Sequence, residues 1–171
     1  MKAGKTMSGS ALKAPIGKWQ AGDVLARITS LTPTRYMLLE GGRDEPIYVY
    51  CALDTFVYAW VTGGSCRVVA EPPVGGAVRF TLTPSGPEPV AAWMSNVPSD
   101  HVAQLPAVGR MPSRCCPYTH FFISKDAYAA WNDALPEGIR PHIQCLSVHE
   151  AWLEAQRALM ACAAARSCQC R

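Results

Sequence analysis

The sequence has little charge and no long hydrophobic segment. Only 17% of its 171 residues are charged, the net charge is +3, and like charges are scattered. So weak a charge gives no reason to expect nucleic-acid or membrane-surface partners. No apolar run approaches the length of a membrane-spanning helix. A hydrophobic content of 49% is typical of a globular chain. We therefore expect a single domain.

The sequence also lacks a recognisable secretory signal and the motifs of several common metal, phosphate-binding and catalytic sites. The first residues include lysines without an apolar segment behind them, so we expect no secretory signal and a cytoplasmic location. In a reducing compartment, eight cysteines serve as metal ligands, catalytic thiols or core residues. An exported protein with paired cysteines would have the same count, so disulfides stay an alternative. Zinc-type CxxC pairs, phosphate-binding glycine loops and GxSxG motifs do not occur.

The pattern of apolar residues predicts an α+β fold of mostly antiparallel strands, with a central helix and a C-terminal helix. The predicted strands are Asp23–Ser30, Thr34–Glu40, Pro46–Tyr50, Cys66–Ala70, Ala77–Thr83, Pro89–Ser95, His120–Ile123 and His142–Leu146. Helices are predicted over CALDTFVYAW, from an N-cap at Ser124 to about Ala134, and from near Ser147 onward. We expect a flexible arm at 1–18, one domain at 19–166 and a cysteine-containing tail at 167–171.

The stretch Tyr48–Trp60, YVYCALDTFVYAW, is expected to organise the fold. Alternation stops at Cys51 and a helix follows, so the thiol lies on the first turn, where free N–H groups and the helix dipole favour a thiolate. Asp54 lies three residues later on the same helical face. A thiolate beside a proton-carrying carboxyl can attack and also move a proton. The alternative is a buried structural Cys51 and an ordinary first-turn acid.

CALDTF resembles the catalytic segment of the alkylmercury (organomercurial) lyases. Three further stretches agree in order, namely LTPSG at 82–86, CCPYTHFF at 115–122 and SVHEAW at 147–152. Four matches in register are more specific than any one of them. The resemblance implies the fold of that family, and it suggests that the helical domain preceding the catalytic part of those enzymes is missing here.

The resemblance implies that Cys51 and Cys116 are the two thiolates and that Asp54 carries the proton. The family has a catalytic cysteine just upstream of a His-Phe-Phe strand, and counting back from His120 selects Cys116. Anchoring on the cysteine pair selects Cys115 instead. We favour Cys116, because a shift of strand register is costly, and keep Cys115 as the alternative ligand.

The implied activity is protonolysis of the carbon–mercury bond of a small organomercurial, which leaves Hg(II) on two sulfurs. Thiolates suit this soft ion better than oxygen or nitrogen ligands do. No cofactor is expected, and the product Hg(II) would pass to a thiol acceptor or a mercuric reductase-like protein. The alternatives are a carrier that only binds Cu(I) or Hg(II), and a related enzyme acting on an organic biosynthetic substrate. Cys168 and Cys170 form a possible metal relay or else a frayed tail.

Overall fold

A computed structural model describes residues 21–109 and 111–165 of the chain. The arm predicted at 1–18 and the tail predicted at 167–171, with Cys168 and Cys170, lie outside the described residues. The relay predicted for those two thiols therefore stays a prediction.

The described residues form an α+β fold, which confirms the predicted class. The helices are α1 (Ala21–Ile28), α2 (Ala52–Thr62), α3 (Lys125–Asp133) and α4 (Val148–Ala165). The strands are β1 (Thr29–Ser30), β2 (Tyr36–Glu40), β3 (Ile47–Val49), β4 (Cys66–Ala70), β5 (Val78–Thr83), β6 (Gly86–Pro87), β7 (Trp93–Asn96), β8 (Phe121–Phe122) and β9 (Gln144–Ser147). Short 3-10 helices cover Val102–Gln104, Cys116–Tyr118 and Arg140–His142. None of the helices among the described residues is both long and apolar enough to cross a membrane.

The strands form two antiparallel sheets. The larger has the order β1-β3-β2-β4-β5-β6, and the smaller has the order β8-β7-β9. In the larger sheet, Tyr36 of β2 lies opposite Val49 of β3 on one side and Ala70 of β4 on the other. Those three side chains are all buried, and residues directly opposite one another on neighbouring strands point to the same face of a sheet. The face that they share packs against α2 and forms the main core.

Helix α2 lies at the centre of this core. Its buried residues recur at helical spacing, with Ala52, Thr55, Phe56 and Ala59 almost fully enclosed. The helix ends at Gly63, whose φ of 64° is the left-handed conformation that glycine adopts without steric cost. Buried on one face and bounded at both ends, α2 holds its first turn at a fixed place in the core.

The prediction of a strand at Asp23–Ser30 is wrong for most of that segment. Residues 21–28 form α1, and only Thr29–Ser30 pair with β3. Val24 is buried, and Leu25 and Ile28 pack against the core that contains α2, a helical spacing of apolar residues. The tertiary contact with α2 therefore decides the conformation of this segment.

The strand predicted at Pro89–Ser95 is shorter than expected. Pairing covers Trp93–Asn96, where β7 lies between β8 and β9. Pro89 has no N–H group to donate to a neighbouring strand, which favours a later start. The Pro-rich segment that follows β7, residues 97–114, contains only one short 3-10 helix among its described residues.

Candidate active site

Cys51 lies at the junction between β3 and α2. It is the N-cap residue of α2, with extended dihedral angles of φ −149° and ψ 174°, so it precedes the first helical turn. The backbone N–H of Cys51 donates to Oδ2 of Asp54 at 3.1 Å. An acid at the third helical position that accepts from the N-cap backbone forms one half of a capping box. This hydrogen bond at the start of α2 thus holds the carboxyl of Asp54 beside Cys51.

Cys116 reaches the same place from a distant part of the sequence. It begins the 3-10 helix Cys116–Tyr118, in which Pro117 occupies an early position. The backbone N–H of Ala52 donates to the carbonyl oxygen of Thr119 at 3.2 Å. The hydroxyl of Thr119 donates to the carbonyl oxygen of Cys115 at 2.8 Å. These hydrogen bonds tie the segment that carries Cys116 to the beginning of α2.

The two segments bring two sulfurs and a carboxylate together. A ligand atom from each of Cys51, Asp54 and Cys116 lies within 4.8 Å of the other two. Both cysteines are free and buried. This cluster contains the three residues to which the resemblance to the lyase family assigns catalytic roles.

Cys115 lines the same cavity as Cys116 but is not part of the cluster. Its Sγ lies 3.2 Å from Oγ of Ser113, and its side chain packs in a second core cluster with Leu105 and Phe122. Cys116 packs in the main core together with Cys51. The geometry therefore favours Cys116 over Cys115 as the second ligand, which stays a prediction about function.

Burial changes the protonation of the cluster. Burial raises the pKa of Cys51 to about 12, although a hydrogen bond with Cys116 opposes this rise. The hydrogen bond with Cys115 lowers the pKa of Cys116. The hydrogen bond with Cys51 and burial raise this pKa by a larger amount, so the pKa of Cys116 lies above its ordinary value. Burial therefore opposes the thiolate that the start of the helix is expected to favour. Desolvation of a buried charge outweighs the helix dipole here.

Burial also raises the pKa of Asp54, from 3.8 to about 7, against hydrogen bonds with Cys51 that lower it. A carboxyl with this pKa is populated in both protonation states near neutral pH. It can accept a proton from a neighbouring thiol and donate one to a neighbouring atom. The cluster thus has two soft ligands for a thiophilic ion and a proton carrier in contact with them.

Two further residues support this cluster and were not predicted from the sequence. The hydroxyl of Tyr36 hydrogen-bonds to Nδ1 of His120 and also lies 3.2 Å from the carbonyl oxygen of Thr119. Nε2 of His120 lies 2.9 Å from the carbonyl oxygen of Pro117, so this nitrogen carries the proton and Nδ1 accepts. Burial lowers the pKa of His120 to about 4, which keeps the ring neutral. His120 had entered the prediction only as a marker of register, and nothing in the sequence singled out Tyr36.

A cavity of about 640 Å³ opens directly onto the cluster. It lies between α2 and α4, and the end of α1 and the segments 96–102 and 112–116 complete its wall. Cys51, Asp54 and Cys116 all contribute to the lining. Its volume falls within the range of about 300–1,000 Å³ that is usual for small-molecule sites. The cluster therefore borders a space that a small molecule can occupy.

The chain is similar to known proteins in sequence and in fold. Residues 29–161 match the family model of MerB, alkylmercury lyase. The chain is 30% identical over 123 residues to the alkylmercury lyase of Staphylococcus epidermidis, an alignment that covers 69% of this chain and 53% of the relative. It is 28% identical over 139 residues to the alkylmercury lyase of Bacillus cereus, covering 78% of this chain and 57% of the relative. The chain thus spans about half the length of the curated relatives it matches.

The fold also resembles a solved structure, the mercury-bound form of MerB2. The TM-score is 0.55 at 14% sequence identity, and the match covers 80% of this chain and 62% of the other. At that identity the likeness shows the shared fold alone.

Proposed function

We propose, from the premise that this chain belongs to the alkylmercury lyase family, that it cleaves the carbon–mercury bond of organomercurials by protonolysis. The observation that carries the proposal is the convergence of Cys51, Asp54 and Cys116, whose ligand atoms lie within 4.8 Å of one another. Two thiols and one proton-carrying acid are the groups that this reaction requires.

The first step loads the substrate on one sulfur. The thiol of Cys51 gives its proton to a solvent thiolate, which becomes a free thiol. The sulfur of Cys51 then displaces the thiolate ligand of R–Hg, so a sulfur–mercury bond forms and the displaced ligand leaves as a thiolate. Because Hg(II) is soft, it replaces the proton even on a thiol whose pKa burial has raised to about 12.

The second step uses Cys116 and Asp54 together. The carboxylate of Asp54 takes the proton of the Cys116 thiol, and the resulting thiolate adds to mercury. This second donation increases the electron density on the carbon bound to mercury. Asp54 then protonates that carbon, the carbon–mercury bond breaks, and R–H leaves while Hg(II) stays on the two sulfurs. The carboxylate is regenerated, so the step balances without a cofactor.

Release of the product completes the cycle. Thiols from solution or from a metal-accepting protein exchange with the two cysteines and remove Hg(II), which restores the protonated site. A cytoplasmic location, where free thiols are abundant, fits this exchange. The same two sulfurs could also hold Hg(II) or Cu(I) without any cleavage, which defines a carrier as the alternative function.

Hydrocarbon release tests the proposal directly. The reduced protein is incubated with phenylmercury or methylmercury and excess glutathione, and benzene or methane is measured by gas chromatography. Cys51→Ser and Cys116→Ser should abolish release, and Asp54→Ala should slow it by about 100-fold or more, as loss of a general acid does. Tight Hg(II) binding without hydrocarbon would instead identify a carrier.

Two further cysteine variants complete the design. Cys145→Ser removes a partly exposed thiol of β9 that does not line the cavity, and it should leave release unchanged. Cys115→Ser should retain activity. An inactive Cys115→Ser together with an active Cys116→Ser would reverse the assignment of the second sulfur.

A further inference from the structure

The backbone of Cys116 makes two long hydrogen bonds within its turn. Its N–H group donates to the carbonyl oxygen of Ser113 at 3.3 Å, and its carbonyl oxygen accepts from the N–H of Thr119 at 3.5 Å. An N–H···O bond is usually about 2.7–3.2 Å long. Backbone contacts longer than this hold a residue less firmly, so the position of Cys116 depends on other groups around the turn.

The ring of His120 supplies a hydrogen bond at the end of this turn. A 3-10 helix that continued past Tyr118 would pair the N–H of His120 with the carbonyl oxygen of Pro117, three residues earlier. The N–H of His120 donates instead to Oγ of Ser95 at 2.8 Å. Nε2 of the same residue lies 2.9 Å from the carbonyl oxygen of Pro117. The side chain of His120 thus replaces the bond that its backbone gives to β7.

Both sheets hold His120 in place. The N–H of Ser95 in β7 donates to the carbonyl oxygen of His120 at 2.9 Å. The hydroxyl of the buried Tyr36 in β2 donates to Nδ1, so the ring proton lies on Nε2 and is directed at Pro117. The ring of Trp131 lies nearly perpendicular to the imidazole, with 5.2 Å between the ring centroids. The donor to Pro117 therefore has a fixed place in the fold.

We infer that His120 is a positioning residue for the second sulfur. It acts through Pro117, the residue after Cys116, and is not among the residues that line the cavity. The inference rests on the proposed function, in which Cys116 adds to mercury already held on Cys51. Without the bond from Nε2, more positions are open to the turn, and the sulfur of Cys116 spends less time within reach of that mercury. Loading on Cys51 does not depend on this bond, whereas the second donation does.

Two amide variants separate the hydrogen bond from the packing of the ring. His120→Gln places an amide N–H near the position of Nε2 and can still donate to Pro117, whereas the shorter His120→Asn cannot reach it. Both variants lose the aromatic ring, so an effect of packing is common to both. Affinity for Hg(II) is measured on the reduced full chain by competition with glutathione. We expect His120→Asn to bind Hg(II) about tenfold more weakly than His120→Gln does, a loss typical of a residue that orients a metal ligand. Equal affinities overturn the inference.

Removing the second sulfur shows whether His120 acts through it. In a Cys116→Ser background the second sulfur is gone, so adding His120→Asn should leave the remaining affinity for Hg(II) unchanged. A loss of the same size with and without Cys116 overturns the inference, because it identifies a general loosening of the fold. Tyr36→Phe, which leaves the imidazole without its hydroxyl partner, should show the same dependence on Cys116, and it decides the question if His120→Asn does not fold.

The measurement with Hg(II) requires no cleavage, so its result is independent of the proposed reaction. If the parent protein binds Hg(II) and releases no hydrocarbon, the proposed reaction fails and the affinities still decide the inference. If hydrocarbon is released, His120→Asn should lower kcat and leave KM nearly unchanged, because loading on Cys51 is intact. A raised KM with an unchanged kcat overturns the inference.

Discussion

Replacing Asp54 by asparagine should stabilise the protein at high pH and leave its stability unchanged at low pH. The pKa of the Asp54 carboxyl is 3.8 in the unfolded chain and about 7 in the folded one. Between these values the folded state binds more protons than the unfolded state does. The free energy of unfolding therefore falls as the pH rises from about 4 to about 7, and it is constant above that.

The magnitude follows from the difference between the two pKa values. Each unit of pKa difference corresponds to about 1.4 kcal/mol, so a rise from 3.8 to about 7 costs at most about 4 kcal/mol of stability above pH 7. Asp54 lines an open cavity, where water screens part of its charge, so we expect about 2–4 kcal/mol. Asparagine stays neutral at every pH and can still accept the hydrogen bond from the N–H of Cys51, so the variant avoids this loss.

Urea denaturation, monitored by tryptophan fluorescence under reducing conditions, measures the effect. Unfolding curves of the parent protein and of Asp54→Asn are compared at pH 4, 5, 6, 7 and 8. The two proteins should be equally stable near pH 4, and the variant should be the more stable above pH 7. Asp44→Asn, in an exposed loop, is the control and should show no such divergence. A difference that does not change with pH, or a variant less stable than the parent at pH 8, would refute the argument that burial raises this pKa.

Two other predictions concern contacts around the site and in the scaffold. Tyr36→Phe removes the donor to Nδ1 of His120 and leaves a buried acceptor without a partner, so we expect a loss of about 1–3 kcal/mol in urea denaturation. Tyr58→Phe, which loses a hydrogen bond to Glu40 away from the cluster, should lower the free energy of unfolding by less. Equal losses of stability in the two variants would contradict the argument that an unpaired buried acceptor on His120 adds to the cost. Ser124→Ala removes the N-cap side chain that accepts from the N–H of Ala127 at 3.1 Å, and it should cost about 1 kcal/mol, whereas Ser124→Asp should retain most of the stability.

Helices and strands were predicted correctly where the local pattern of residues determines the structure. The strands β4 and β5, the helix that begins after Cys51 and the N-cap at Ser124 were all predicted, because each depends on residues close together in the chain. The segment 21–28 was not, because its apolar residues fit a strand or a helix until α2 provides a surface for one face of a helix. Short ambiguous segments take the conformation that their tertiary neighbours favour.

In the candidate site, too, some features follow from the amino-acid sequence and others follow only from the folded structure. The amino-acid sequence alone predicts that Cys51 and Asp54 lie together, because a separation of three residues at the start of a helix places them on one side of the same turn. The resemblance to the lyase family also restricted the second sulfur ligand to Cys115 or Cys116. In the tertiary structure it is Cys116 that lies with Cys51 and Asp54, because the hydrogen bond between Ala52 and Thr119 fixes how the turn before β8 meets α2. Its role as the second ligand stays a prediction. Burial, which comes from the whole fold, then decided the protonation of the thiols against the local influence of the helix end.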